Sequence, residues 1–348
     1  MTVTPHAVFR CDASRDVGGG HAVRCLSLAE ALSSAGWKCS FAVNPGACDT
    51  VPALRRDSAE IAVVGGGPHA EADGLMAQWP AGVELLIVDH YGRDADFEER
   101  CASWAKTIVV IDDLANRRHE CSLLLDQSLG RREADYAGLV PPACRLLLGP
   151  QYALLRPQFL AARPKSLAKR RTSRRVQRIL VSVGAVDSDN FTEKALDGIA
   201  QSGLDATVDI VLGSSEKKNA LTDRIARLPI GASIHVGVSD MAELMFLADL
   251  SIGAAGSTSW ERCALGLPSL IVITADNQRK IAAELTACGA ARLLGEASSV
   301  TSPVIAETLR NLQQAELADM SRRAAEVCDA AGATRVATVL TELSNQGH

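Results

Sequence analysis

Short apolar runs alternate with longer amphipathic segments along most of this chain, and the rhythm breaks once before it resumes. Parallel β–α–β units have this pattern, because strands covered on both faces are continuously apolar while their crossover helices carry one apolar stripe. Runs at 7–11, 38–43, 83–89, 107–112, 122–125 and 145–148 read as strands of a first sheet. A helix behind the first of them runs from about 20 to 35 and stops at Gly36, a suitable C′ residue. The rhythm restarts with strands at 178–183, 209–212, 233–236, 250–252 and 269–272, and the last fifty residues read as helices with Leu309, Leu312, Leu317 and Met320 on one face. Between the two halves Arg163, Lys165, Lys169, Arg170, Arg171, Arg174, Arg175 and Arg178 crowd a stretch with little apolar periodicity, which reads as a solvated linker rather than a nucleic-acid contact. The expected fold class is α/β, with two Rossmann-like domains facing a cleft. Their expected bounds are 1–156, a basic linker 157–177, and 178–348. The 348 residues suit this division, being too many for one ordinary open sheet.

Composition narrows the function classes. Aromatic residues are only 4% of the chain while 47% is hydrophobic, so the core is aliphatic and no stacking platform for single-stranded nucleic acid is expected. A formal net charge of −5 brings no general attraction to nucleic acid or acidic membrane. The ten cysteines form no CxxC pair, and none stands beside a histidine at metal-ligand spacing. They read as reduced thiols packed as small hydrophobes, and neither metal nor cofactor is expected. No apolar run is long enough for a membrane span, and the polar stretch Thr2 to His6 lacks a basic-then-apolar targeting pattern. A cytoplasmic protein is expected, monomeric or weakly homo-oligomeric.

Chemistry first enters at Gly18-Gly19-Gly20-His21, between the strand ending Phe9-Arg10-Cys11-Asp12 and a helix with Val23, Leu26, Ala29 and Leu32 at helical spacing. A helix N-terminus offers free N–H donors and the positive end of a dipole, so this loop suits an anion such as phosphate. His21 adds proton transfer near neutral pH. Several strands end in a carboxylate or amide, namely Asp89, Asp112 with Asp113, and Asp126 with Gln127; in open α/β sheets such ends line the ligand crevice. Arg24, one turn after His21, serves either substrate or a structural ion pair. His90 reads as a packing or hydrogen-bonding residue ahead of a catalytic one, His119 as a surface residue, and Cys25 as core packing.

In the second half, Gly253-Ala254-Ala255-Gly256-Ser257-Thr258-Ser259-Trp260-Glu261 leaves a buried strand and opens a helix. Small residues admit a ligand to the backbone. Ser257 or Thr258 can cap the helix while free N–H groups hold phosphate oxygens, and Glu261 can accept from a ribose diol. Thr274-Ala275-Asp276-Asn277-Gln278 places polar side chains at the mouth of the next strand.

The spacing from Gly253 through Glu261 to Asp276-Asn277-Gln278 resembles the nucleotide-sugar half of GT-B glycosyltransferases related to the lipid II N-acetylglucosaminyltransferase. The first half is more specific. Phe9-Arg10-x-Asp12, Gly18-x-Gly20-His21-x-x-Arg24-Cys25-Leu26, Val88-Asp89-His90-Tyr91-Gly92 and Ile111-Asp112-Asp113-Leu114-Ala115 resemble the UDP-sugar hydrolases of pseudaminic acid biosynthesis. So do Leu124-Leu125-Asp126-Gln127, Asp135-Tyr136-x-Gly138-Leu139-Val140-Pro141 and Gly149-Pro150-x-Tyr152-Ala153-Leu154-Leu155-Arg156. The family's Gly-Gly-x-Asp loop reads Gly184-Ala185-Val186-Asp187 here.

The resemblance implies metal-independent hydrolysis of UDP-2,4-diacetamido-2,4,6-trideoxy-β-L-altropyranose at its anomeric carbon, in a nonulosonic acid pathway that supplies flagellin glycosylation. It implies that His21 takes a proton from water, that Asp12 orients His21 or holds a sugar hydroxyl, and that Tyr91 holds the sugar or the water. Gly18, Gly20, Arg24, Gly184, Asp187, Gly256, Ser257, Thr258 and Ser259 are then expected on the sugar diphosphate. Glu261 is expected on the ribose, and Asn277 with Gln278 on hydroxyl or N-acetyl groups. The alternatives are a GT-B transferase that moves the sugar from UDP to an acceptor, a hydrolase for an epimeric diacetamido sugar, and a silent binding protein.

Overall fold

The chain divides into two units, Met1–Arg156 with Ala331–His348, and Pro157–Ala330. The computed structural model describes residues 4–14, 18–55, 59–173, 175–184, 187 and 189–346, without the side chain of Gln346. The expectations at Arg174, Ala185 and Val186 lie outside the described residues.

The first unit opens with β1 (His6–Cys11), α1 (Gly20–Ser34), β2 (Lys38–Val43), the short α2 (Ala47–Thr50) and β3 (Glu60–Val63). It continues through α3 (Pro68–Gln78), β4 (Val83–Asp89), α4 (Ala95–Cys101), β5 (Ala105–Ile111), β6 (Leu123–Asp126) and β7 (Arg145–Leu148). The seven strands are all parallel, in the order β3-β2-β1-β4-β5-β6-β7. Alternate residues face opposite sides: Ala7, Phe9 and Cys11 enter one core, with Phe9 stacked on Phe41, while Val8 enters the other beside Leu86 and Val88. At the end of α1, Trp37 donates its N–H to Leu32 and Gly36 to Ser33, the two bonds of a Schellman turn; Gly36 sits at φ +87°, as a C′ glycine should.

The second unit comprises α5 (Pro157–Thr172), β8 (Arg178–Ser182), α6 (Phe191–Ser202), β9 (Thr207–Leu212), α7 (Lys218–Ile225), β10 (Ala232–Val236) and α8 (Met241–Leu247). Then follow β11 (Leu250–Ala254), α9 (Thr258–Ala264), β12 (Ser269–Ile273), α10 (Arg279–Ala287), β13 (Arg292–Glu296), α11 (Ser302–Asn311) and α12 (Gln314–Val327). Its six strands, again parallel, run β10-β9-β8-β11-β12-β13. The strand order therefore reverses between β1 and β4 in one sheet and between β8 and β11 in the other. Such switch points are where doubly wound sheets open a crevice for ligands.

Two expected boundaries need correction. The basic stretch is no linker: residues 157–172 form α5, and its cations close the carbonyl ends of neighbouring helices. Arg163 donates to Ala264, Ala325 and Cys328 carbonyls at the ends of α9 and α12, and Lys169 with Arg170 reaches carbonyls from Met245 to Ala248 at the end of α8. Unsatisfied carbonyls and the negative dipole end favour cations there. The last helix, α13 (Gly332–Gln346), belongs to the first unit, where Val336 and Leu340 join the core beside α1 and Thr341 accepts from the Trp37 indole. Gly332 fits because a Cβ there would lie 2.3 Å from the Ala153 carbonyl oxygen. Edge strands β3 and β13, short and partly exposed, were not anticipated. Among the described residues no helix is long and apolar enough to cross a membrane.

Candidate active site

The switch point of the first sheet places His21, in the first turn of α1, against Asp89 at the end of β4. Asp89 is completely buried. Burial alone raises its carboxyl, but the charge of Arg24 and the contact with His21 outweigh this and hold it far below the usual carboxylate range. An ionised carboxylate only accepts, so His21 carries its proton on Nδ1 and donates it to Asp89 Oδ1 at 2.5 Å. Nε2 is left as the nitrogen that can take a proton. Arg24 grips the same carboxylate through Nε and Nη2, both at 2.6 Å, and reaches Asp113 at 3.0 Å. The ring of Tyr91 meets the His21 imidazole edge-on, with centroids 4.7 Å apart. These four side chains form a compact unit: an imidazole, the buried carboxylate it contacts, the arginine paired with that carboxylate, and an aromatic ring beside the imidazole.

Asp12, expected to orient His21, is engaged elsewhere. It pairs with Arg10 and accepts from His90 Nε2 at 2.9 Å. The N–H of Gly92 donates to His90 Nδ1, so both ring nitrogens of His90 are occupied and its role is structural. Arg10 and Arg93 clamp the fully buried Glu71 from both sides, each through two bonds. Asp112 accepts from Arg117 and the Ala115 N–H, and Asp126 pairs with Arg131. The Tyr136 hydroxyl lies 2.9 Å from both. Burial pushes the Asp126 carboxyl up despite Arg131, whereas Asp112, also opposed by burial, is held down by Arg117. The strand-end carboxylates thus bind arginines rather than lining an open crevice. Arg24 is likewise an ion-pair residue.

Other expected residues fall out differently. Gly18 donates its N–H to the Ser14 carbonyl and adopts φ +79°, so it shapes the loop instead of offering that N–H to a ligand. Gly20 is the first residue of α1, whose N-cap Gly19 gives no side-chain cap; the opening N–H groups of this helix have no intrahelical acceptor. Cys25 is buried beneath Asp89, and burial raises its thiol well above the ordinary value, which suits packing. His119 is not on the surface: it is buried and paired with the buried Glu98 at 2.8 Å.

At the switch point of the second sheet, Gly184 takes φ +94°, and Asp187 spends both carboxylate oxygens on the N–H groups of Phe191 and Thr192, capping α6. Lys217, which sequence reasoning missed, ties Asn190 to the Asp187 carbonyl. After β11, Ser257 opens α9 without a side-chain cap, contrary to expectation. Ser259 donates its N–H to Gly256 and accepts at its hydroxyl from the buried Arg262. Desolvation brings the Arg262 guanidinium down to about 10. Gln278 folds back on Thr274 and lies against Gly256, its amide nitrogen 3.6 Å from where a Cβ would stand. Glu261 is buried, Thr258 is half-buried, and Ser257 and Asn277 are exposed.

Residues 178–336 match the glycosyltransferase family 28 C-terminal domain. Over 284 residues, 81% of this chain and 96% of the relative, the chain is 24% identical to the UDP-2,4-diacetamido-2,4,6-trideoxy-beta-L-altropyranose hydrolase of Campylobacter jejuni. A 96-residue stretch, 26% of this chain and 26% of the relative, is 42% identical to a UDP-N-acetylglucosamine--N-acetylmuramyl-(pentapeptide) pyrophosphoryl-undecaprenol N-acetylglucosamine transferase of an Exiguobacterium species. Among solved structures, MurG of Acinetobacter baumannii superposes with a TM-score of 0.70 at 17% identity, over 97% of this chain and 99% of that one. The glycosyltransferase VinC, solved with dTDP, gives 0.60 at 15% identity, over 98% and 100%. The chain is therefore a two-domain protein of the GT-B fold, whose second half matches the glycosyltransferase family 28 C-terminal domain and which is similar to the altropyranose hydrolase along most of its length.

Proposed function

We propose that this chain acts on a UDP-linked sugar and hydrolyses it at the anomeric carbon, with UDP-2,4-diacetamido-2,4,6-trideoxy-β-L-altropyranose as the first substrate to try. The observation that carries the reading is the His21–Asp89 pair: a histidine at a switch point, fixed by a buried ionised carboxylate in the tautomer that leaves Nε2 as base. Water oxygen bonds to the anomeric carbon, the bond from that carbon to the diphosphate oxygen breaks, and UDP departs with the electron pair. His21 takes the proton from water, and a positioned base of this kind contributes roughly a hundred- to ten-thousand-fold. UDP is a good leaving group, so the base is the principal requirement. Tyr91 shapes the space beside the imidazole. The reading assigns the opening N–H groups of α1 to anionic oxygens, and Gly256, Ser257, Thr258, Glu261, Asn277 and Gln278 to the nucleotide sugar. Similarity over 96% of the altropyranose hydrolase favours water as acceptor. The family 28 domain and the local match to a transferase keep sugar transfer to a hydroxyl acceptor as the second reading.

The test is UDP release from that substrate, with EDTA present, by wild type, His21→Ala and His21→Phe. Release of UDP and free sugar by wild type, lowered at least about a hundred-fold in both variants, is expected. Release that survives both substitutions removes His21 from the chemistry. UDP binding without release, restored by a hydroxyl acceptor, would favour transfer, and turnover of an epimeric substrate alone would reassign the sugar.

A further inference from the structure

Two thiols that this chemistry does not use lie side by side at the amino ends of β6 and β7. Cys121 precedes β6 by two residues and Cys144 precedes β7 by one, and the strands pair in parallel with Leu123 opposite Arg145. That register brings the sulfur atoms to 3.6 Å. A disulfide requires about 2.05 Å, so the two sulfurs need a further approach to close one. Cys121 is buried and Cys144 half-buried, so Cys144 is the more accessible residue of the pair. The contact between the two sulfurs lowers the Cys144 thiol from its ordinary value and raises that of Cys121, with burial adding to the rise. Thiolates are the reactive form, and Cys144 combines the lowered thiol with the greater access of the two. Cys11, Cys25, Cys39, Cys101, Cys263 and Cys328 are all buried.

We propose that Cys121 and Cys144 form a reversible oxidation site that closes an intrachain disulfide in the presence of a peroxide. The Cys144 thiolate attacks one peroxide oxygen, the O–O bond breaks, and a sulfenic acid and hydroxide result. The Cys121 sulfur then attacks the sulfenic sulfur; the S–S bond forms, the S–O bond breaks, and the hydroxyl leaves with the Cys121 proton as water. The two thiols lose two electrons and two protons, and hydrogen peroxide becomes two waters. The bridge pins β7, an edge strand with a single neighbour, and encloses Asp126, Arg131 and Tyr136, the residues that tie the ends of β5 and β6 together. Its effect is therefore to stiffen the segment beneath the charged strand ends.

The experiment treats the full chain with hydrogen peroxide, alkylates the remaining thiols, and maps the peptides by mass spectrometry. Two of the ten thiols should disappear, the peptides holding Cys121 and Cys144 should be joined, and dithiothreitol should restore both. Amide exchange at Leu146 to Leu148 should slow in the oxidised chain, and Cys144→Ser should abolish the link. A full thiol count after peroxide, Cys144 driven to sulfinic acid without a link, or a bridge between other cysteines would overturn the proposal. The wild-type map decides the question even if the variant folds poorly.

Discussion

At the carboxyl end of the first sheet, Asp89, Asp112 and Asp126 stand at the ends of adjacent strands, each buried and each held by an arginine; the matching strands β11, β12 and β13 of the second sheet end in Ala254, Ile273 and the half-buried Glu296, the last paired with the exposed Arg279. Both sheets wind the same way and reverse at the same point in their order. They differ in where charge is kept. In the first unit, buried carboxylates need counter-ions, and the resulting lattice fixes an imidazole rigidly. In the second, the strands that flank the switch point end in the small residues Ser182 and Ala254, the buried Arg262 donates to the Ala254 carbonyl, and the cations of α5 lie at helix carbonyl ends. One winding can thus support proton transfer in one unit and leave backbone donors at the other.

The largest test of that contrast is Asp89→Asn. It leaves the buried Arg24 with Asp113 as its remaining charge partner and takes the charged anchor from His21. Denaturant unfolding should show a loss of about 3–5 kcal/mol, and UDP release should drop by about a hundred-fold or more. Hydrogen exchange should report the destabilisation in the first unit alone. The same carboxylate implies acid sensitivity with a defined sign. Held low in the fold, it binds fewer protons than in the unfolded chain, where its value is near 3.8; its stabilisation is full above that value and is lost as pH falls below it. A variant whose stability falls as steeply in acid as that of wild type would break the assignment.

Gly253→Ala probes the second unit. A Cβ there would lie 2.1 Å from the Ser182 carbonyl oxygen on β8, so β11 must shift. A loss of about 1–3 kcal/mol is expected, read by exchange in the second sheet while the first is unchanged. The glycine thus serves strand packing, not ligand approach. The smallest effect belongs to Asp187→Ala, which removes the cap of α6 at a cost of about 1 kcal/mol. UDP affinity, measured by calorimetry, should stay within a few-fold of wild type; a larger loss would return Asp187 to the ligand site.

Much of the site was legible at the level of single residues. The glycine run and apolar stripe marked His21 as a helix-start histidine, and Asp89 was visible as a strand-end carboxylate. Their partnership was not, because 68 positions separate them and only the insertion of β4 beside β1 joins them. Asp12, two residues beyond Arg10, looked the nearer partner, but the arginine and His90 claim it. The basic stretch misled for a similar reason: Arg163, Lys169 and Arg170 have no periodic apolar pattern because their partners are carbonyls on other helices.

The sequence by itself determined the β–α rhythm, two sheets' worth of strands, the turn at Gly36 and the types of residue able to do chemistry, since backbone preference and apolar period are local properties. Tertiary structure alone decided which strands are neighbours, that α13 covers the first sheet rather than the second, and which arginine neutralises which carboxylate. A buried charge is satisfied by whatever the fold brings within about 3 Å, and that distance bears no relation to separation along the chain.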